Sequence, residues 1–127
     1  MIYTIKLDKP RTLKMSNWGS FRYSEITNVS VQEAARTYAK EGNATGFTIL
    51  LDLLYMLLVH EDRSLSRSKL LDILDACDKT PYIFAGEIFL TINDAMEKLN
   101  EFYIEKNALK DEKKKVKMPD SKIPKQT

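Results

Sequence analysis

One apolar segment, FTILLDLLYMLLVHED at residues 47–62, constrains the fold of this 127-residue chain more than any other feature. From Gly46 to Val59 it covers 14 residues, about 21 Å of helix, against roughly 30 Å for the hydrocarbon core of a membrane. Asp52 would also place a charge near its centre, which is costly in lipid. We therefore expect no membrane span. A helix that is apolar around most of its girth is instead buried on several sides.

The remaining segments predict short elements around this central helix. In IYTIKL at residues 2–7 the side chains alternate between two faces with the period of two that is typical of a strand, and a second extended run, RTLKM, follows Pro10. This pattern predicts a β-hairpin at the N-terminus. Serines in N-cap positions and stop signals such as Gly42 mark the ends of the helices. The predicted helices are Ser16 to about Ile26, Ser30 to Glu41, Phe47–Val59, one that begins after Ser64 or Ser66, and one from about Pro81 to Asn107.

Charge separates the chain into two regions. Residues 109–127 hold seven lysines and three acidic residues, whereas residues 1–108 hold 13 basic and 15 acidic residues. The tail is therefore predicted to be disordered, because it has almost nothing to bury. The expected fold is mainly α: one domain over residues 1–108, a small bundle of about five helices with a short N-terminal hairpin, followed by a Lys-rich tail. The mildly acidic charge of residues 1–108 argues against nucleic acid as a partner, since domains that bind it are usually basic on one face.

No motif in the sequence indicates catalysis or a cofactor. His60 is the only histidine and Cys77 the only cysteine, so neither a zinc site nor an internal disulfide is expected. We interpret His60 as a solvated helix end and Cys77 as a structural residue on an apolar helix face. Phosphate-binding loops, HExxH and nucleophile elbows are missing from the sequence. The sequence thus predicts a non-enzyme without metal or cofactor, in a reducing compartment, and no signal peptide.

The apolar content predicts an exposed hydrophobic surface that can associate with another chain. Most aromatic residues should lie in the core, but the chain has more apolar helical surface than one small bundle easily hides. This excess favours either self-association or a groove for an apolar partner segment. The residues expected to contact a partner are Trp18, Phe21, Tyr55, Met56, Phe84 and Phe89.

Two blocks of sequence resemble a known family. The opening TIKLDKPRTLKM leads into a helix, and LLYMLLVHEDRSLSRSKLLDILD joins two helices. This layout resembles the small tail assembly chaperones of long-tailed phages and prophages, over about residues 3–77. One departure is YSEITN at residues 23–28, where Asn28 stands in place of the family's glycine. The matching positions of the second block are Leu53, Leu54, Tyr55, Leu57, His60, Glu61, Asp62, Leu65, Ser66, Leu70, Leu71, Asp72 and Ile73.

The resemblance implies a non-catalytic helical chaperone in the cytoplasm of the bacterial host. It would coat apolar helices of the tape measure protein, recruit tail tube subunits and be absent from the mature virion. The family often has a frameshifted long form, and Lys113–Lys115 could be encoded by a run of adenines on which ribosomes slip.

Two other hypotheses remain open from the sequence. One is a small helical regulator that binds nucleic acid through the Lys-rich tail, with a steep salt dependence. The other is a self-assembling structural subunit that stays in the virion.

Overall fold

A computed structural model describes the backbone of residues 2–42 and 46–117, and side chains as far as residue 108. Its architecture confirms the mainly α fold with an N-terminal hairpin. The described residues form strands β1 (Tyr3–Lys6) and β2 (Pro10–Leu13), a 3-10 helix at Pro81–Phe84, and five α-helices: α1 (Asn17–Thr27), α2 (Val31–Glu41), α3 (Gly46–Leu58), α4 (Arg67–Ala76) and α5 (Ala85–Lys117).

The hairpin is short and is held by hydrogen bonds at its turn and by packing on the core. β1 and β2 pair antiparallel, with Tyr3 opposite Leu13. At the turn, Arg11 Nε and Nη2 donate to the two carboxylate oxygens of Asp8 at 2.8 and 3.0 Å. These hydrogen bonds hold the pKa of the Asp8 carboxyl below its usual value. Ile5 and Leu13 are buried, so the hairpin gains from packing the stability that an isolated two-stranded ribbon lacks.

The predicted helix ends are confirmed where polar side chains cap them. The hydroxyls of Ser16, Ser30 and Ser66 each accept from the backbone N–H three residues on, at 2.9, 3.1 and 3.1 Å. Each bond satisfies one of the N–H groups that a helix leaves unpaired at its start. Asn28 ends α1 in the left-handed conformation with φ of 57°, as its short polar side chain allows. Gly42 ends α2 at φ of 60°, a region that suits glycine.

Helix α3 is the centre of the fold, and its own chain covers it. Every residue from Leu50 to Val59 is buried. Helices α1, α2 and α4, strand β2 and the 3-10 helix all pack on α3. The expectation that one small bundle cannot hide this helix is therefore wrong. Five short elements surround it, and the argument for self-association no longer applies to α3.

Helix α5 is longer than predicted. Ile88 and Ile92 are buried on its first turns, and the helix then continues past Asn107 to Lys117. Residues 108–117 consist largely of Ala, Leu, Lys and Glu, which have high intrinsic helix propensities. Residues 118–127, the end of the predicted disordered tail, lie outside the described residues.

The chain divides into two compact units, Met1–Asp94 and Ala95–Thr127. The first contains the hairpin, α1 to α4, the 3-10 helix and the start of α5. The second contains the rest of α5, where residues 97–108 are all exposed. Within it, the rings of Phe102 and Tyr103 are 5.9 Å apart. This division falls earlier in the sequence than the boundary predicted after residue 108.

Candidate partner-binding surface

The six residues predicted to contact a partner do not form one surface. Tyr55, Met56 and Phe84 are buried, because α3 is enclosed and the 3-10 helix packs on it. They are therefore removed from the candidate surface and assigned to the core. The ring of Phe89 is half-buried and packs 5.2 Å from Tyr38.

Trp18 and Phe21 are the two candidates that remain on the surface. Their side chains are 38% and 58% exposed, and their ring centroids are 6.5 Å apart. The guanidinium carbon of Arg22 lies 5.5 Å from the Trp18 ring centroid, and that of Arg63 lies 5.1 Å from it. We call these four residues, Trp18, Phe21, Arg22 and Arg63, the Trp18 patch.

Local sequence explains most of this patch. Trp18, Phe21 and Arg22 are spaced three and four residues apart, so they share one face of α1. Ser16 sets the start of that helix. Arg63 comes from the turn after α3, more than 40 positions further along the chain. Sequence spacing could have identified Arg22 as a member of the patch, but no local signal in the sequence points to Arg63.

The chemistry of the Trp18 patch suits the binding of a partner. Cations near an indole ring are attracted by its negative face. Trp and Arg are also the side chains most enriched where protein partners gain binding energy. Within the described residues, the buried Nε of Arg22 has no hydrogen-bond partner. The patch therefore offers aromatic area together with positive charge.

A second group of exposed apolar side chains was missed by the sequence analysis. Phe47 lies in the first turn of α3, and its ring packs edge-on against Tyr82 with centroids 6.0 Å apart. Phe47, Tyr82 and the neighbouring Ile83 are 40%, 38% and 57% exposed. Among the described residues, no cation is stacked on the ring of Phe47 or Tyr82. This group therefore serves as a comparison surface for the Trp18 patch.

The HED sequence at the end of α3 docks the hairpin. His60 Nε2 lies 2.7 Å from the carbonyl oxygen of Thr12, and the backbone N–H of Thr12 donates to Glu61 at 3.1 Å. Asp62 instead accepts from the backbone N–H and the hydroxyl of Ser64, which lowers the pKa of its carboxyl. The interpretation of His60 as a solvated helix end is therefore corrected. His60 and Glu61 provide hydrogen-bond partners for the backbone groups of Thr12 on the outer edge of β2, which would otherwise be an unpaired strand edge.

Cys77 likewise has a structural setting. It follows α4 as the C-cap residue, and its thiol donates to the carbonyl oxygen of Ile73 at 3.1 Å. A thiol that bonds within its own last turn behaves as a small structural side chain.

Asp52 is the one acidic side chain buried along α3. It is only 5% exposed, and its Oδ1 lies 3.4 Å from Nη1 of Arg67. Burial raises the pKa of the Asp52 carboxyl, an effect that the charge of Arg67 partly offsets. Burial and the charge of Asp52 together raise the pKa of Tyr23 to about 12.

Across the described residues, no three His, Cys, Asp or Glu side chains converge as metal ligands would. No helix in that part of the chain has both the length and the apolar character required to cross a membrane. No protein-family model, no curated protein and no solved structure matches this chain.

Proposed function

We propose that this protein is a non-catalytic tail assembly chaperone. It holds apolar helices of a tape measure protein and recruits tail tube subunits. It does so in the cytoplasm of the bacterial host and is released before the virion is complete. The sequence resemblance at residues 3–77 supports this proposal, and so does a small helical body with an exposed aromatic surface.

The Trp18 patch is the observation that carries the proposal. An amphipathic client helix would lay its apolar side on the rings of Trp18 and Phe21, as helices do in hydrophobic grooves. Acidic residues at the edge of that helix would pair with Arg22 and Arg63. These pairs would orient the client more than they add to its affinity.

This assignment moves the client site away from α3. The leucine-rich helix is the core of the bundle, so Tyr55 and Met56 would stabilise the chaperone without touching the client. Binding would then depend on α1 and on the turn that carries Arg63.

Co-expression with the tape measure protein tests the proposal. The intact chain should co-purify with it and keep it from precipitating. Trp18→Ala should weaken the complex by roughly 30-fold, the loss of about 2 kcal/mol that is typical of a central interface residue. Phe47→Ala is the matched control, because it removes a comparably exposed aromatic ring from the other surface group.

Equal loss for the two variants would argue against the Trp18 patch, and no co-purification of the intact chain would argue against the chaperone. Mass spectrometry of purified particles distinguishes the structural-subunit hypothesis from the chaperone proposal. The structural subunit must be present in the particles, whereas the chaperone should be absent from them. Retention on nucleic acid at low salt, lost on truncation after Leu109, would favour the regulator instead.

A further inference from the structure

The part of α5 that follows Asp94 carries two exposed faces of opposite charge. By helical spacing, positions 99, 103 and 106 lie on one side of the helix and positions 101, 104 and 108 lie on the other. All six side chains are exposed. We call one set the basic face (Leu99, Tyr103 and Lys106) and the other the acidic face (Glu101, Ile104 and Ala108).

Both faces present large apolar side chains to solvent. Leu99 and Tyr103 are 42% and 54% exposed on the basic face, and Ile104 is 67% exposed on the acidic face. A single helix in water is only marginally stable, and most helices in proteins are stabilised by packing an apolar face on a neighbour. Apolar residues on two opposite sides of this helix therefore favour a neighbour on each side.

The charges of the two faces are available to a neighbour. Among the described residues, neither Lys106 nor Glu101 forms an ion pair. The ammonium nitrogen of Lys106 instead lies 5.4 Å from the ring centroid of Phe102. The basic face contains no acidic residue and the acidic face contains no basic residue, so the two faces are complementary in charge.

We propose that the basic face binds the acidic face of a second copy of this chain, with the two α5 helices antiparallel. The residues of the basic face are spaced by four and then three positions, and the acidic face read backwards from Ala108 has the same spacing. One register therefore matches all three pairs. It sets Leu99 opposite Ala108 of the second copy, Tyr103 opposite its Ile104, and Lys106 opposite its Glu101.

Other arrangements of the two helices fit less well. A parallel pair would place Leu99 against Glu101 and Lys106 against Ala108, so apolar and charged groups would be mismatched. Two basic faces, or two acidic faces, would bring like charges together. Helices commonly cross at about 50°, which confines the antiparallel contact to these few turns.

The contact joins unlike faces, so each copy has one face left for a further neighbour. A head-to-tail contact of this kind builds rings or filaments, whereas a contact between two identical faces stops at a dimer. The Trp18 patch shares no residue with either face, so this inference is independent of the proposed function.

Sedimentation velocity of the intact chain, across a wide range of protein concentration at low salt, tests the inference. The average mass should rise beyond that of a dimer as the concentration increases. It should fall again when added salt screens the charges.

Charge exchange makes the test specific to these faces. Lys106→Glu and Glu101→Lys each bring like charges together and should weaken association by at least about tenfold. The double variant with both substitutions should associate again, because the exchanged charges attract. Lys98→Glu is the matched control, because it changes the net charge equally at an exposed position outside both faces. Circular dichroism checks that every variant keeps its helix content.

Three results would overturn the inference. A chain that stays monomeric at every concentration at low salt would leave the two faces to a different protein. Equal losses for Lys98→Glu and Lys106→Glu would mean that net charge alone governs association. A double variant that fails to associate would mean that Lys106 and Glu101 of neighbouring copies do not meet.

Discussion

Gly19 in α1 lies directly against the carbonyl oxygen of Met56 in α3. A Cβ atom built on Gly19 would overlap that oxygen, and the oxygen belongs to backbone that cannot swing aside. Two helices approach this closely only where one of them lacks a side chain at the contact. The glycine, which lowers the helix propensity of α1, is therefore the residue that lets α1 cover the central helix.

Replacing Gly19 by alanine should destabilise the fold, because the new methyl group forces α1 away from α3. We expect a loss of about 2–3 kcal/mol in the free energy of unfolding, as for an overpacked core. Chemical denaturation with urea measures it.

Gly86→Ala is the control for this substitution. A Cβ atom at Gly86 would meet nothing within 4 Å, and alanine in α5 should raise stability by about 0.5–1 kcal/mol. A neutral or stabilising effect of Gly19→Ala would contradict the close approach of the two helices.

His60→Ala should loosen the hairpin, since Nε2 of His60 lies 2.7 Å from the Thr12 carbonyl oxygen. We expect a loss of about 1 kcal/mol, the net worth of one hydrogen bond. Hydrogen exchange should also accelerate at the amide of Lys14, which donates to Leu57 at 3.0 Å beside this contact. His60→Gln, whose amide nitrogen has a similar reach, should keep most of the protection. Unchanged exchange in both variants would rule out this docking role.

Ser66→Ala removes the cap of α4. The Ser66 hydroxyl accepts from the N–H of Lys69 at 3.1 Å, so its loss should cost about 1 kcal/mol. The matched control is Ser68→Ala in the same helix. Ser68 is exposed, and alanine there should add a few tenths of a kcal/mol because it has the higher helix propensity. Thermal unfolding of the two variants compares them, and equal effects would count against the cap.

Phe84→Ala and Phe21→Ala should separate core from surface. Phe84 is buried, whereas Phe21 is 58% exposed. Truncating Phe84 is expected to cost about 3–5 kcal/mol, through lost burial and the cavity left behind. Truncating Phe21 should cost less than about 1 kcal/mol. Similar losses in urea denaturation would show that the partition between the two sites is wrong.

Asp52→Asn should change how stability depends on pH. The pKa of Asp52 is raised in the folded protein above the ordinary value of 3.8, so the folded state holds this proton more tightly than the unfolded chain. The charged carboxylate of Asp52 therefore lowers the free energy of unfolding by its full amount at pH values above its pKa in the folded state. This destabilisation disappears as the pH falls below 3.8.

Asp52→Asn is accordingly expected to be more stable than the unmodified chain at pH 7, with the gain lost by pH 3. Denaturation midpoints across this range measure the difference. Asp72→Asn changes an exposed position of α4. The difference in stability between this variant and the unmodified chain should not vary with pH. A gain that persists unchanged to pH 3 would mean that Asp52 does not carry the effect.

The sequence by itself determined the local structure of this protein. Ser16, Ser30 and Ser66 mark helix starts, because a hydroxyl at that position satisfies an N–H that the helix leaves open. Asn28 and Gly42 mark ends, because they adopt positive φ with little strain. The length of the apolar segment and the charge of Asp52 excluded a membrane span without any coordinates. All of these signals lie within a few residues of the feature they predict.

Only the tertiary structure decided which apolar residues are exposed on the surface. The pattern of α3 shows that the helix needs neighbours on every side, but not whether they come from this chain or another. These neighbours come from the same chain, because α1 packs on Met56 and because the 3-10 helix and β2 also pack on α3. Tyr55 and Phe84 are therefore core residues. The packing also brings Arg63 onto Trp18 and Arg67 beside Asp52. These contacts join distant parts of the sequence, and their geometry depends on how whole elements pack together, which periodicity does not encode.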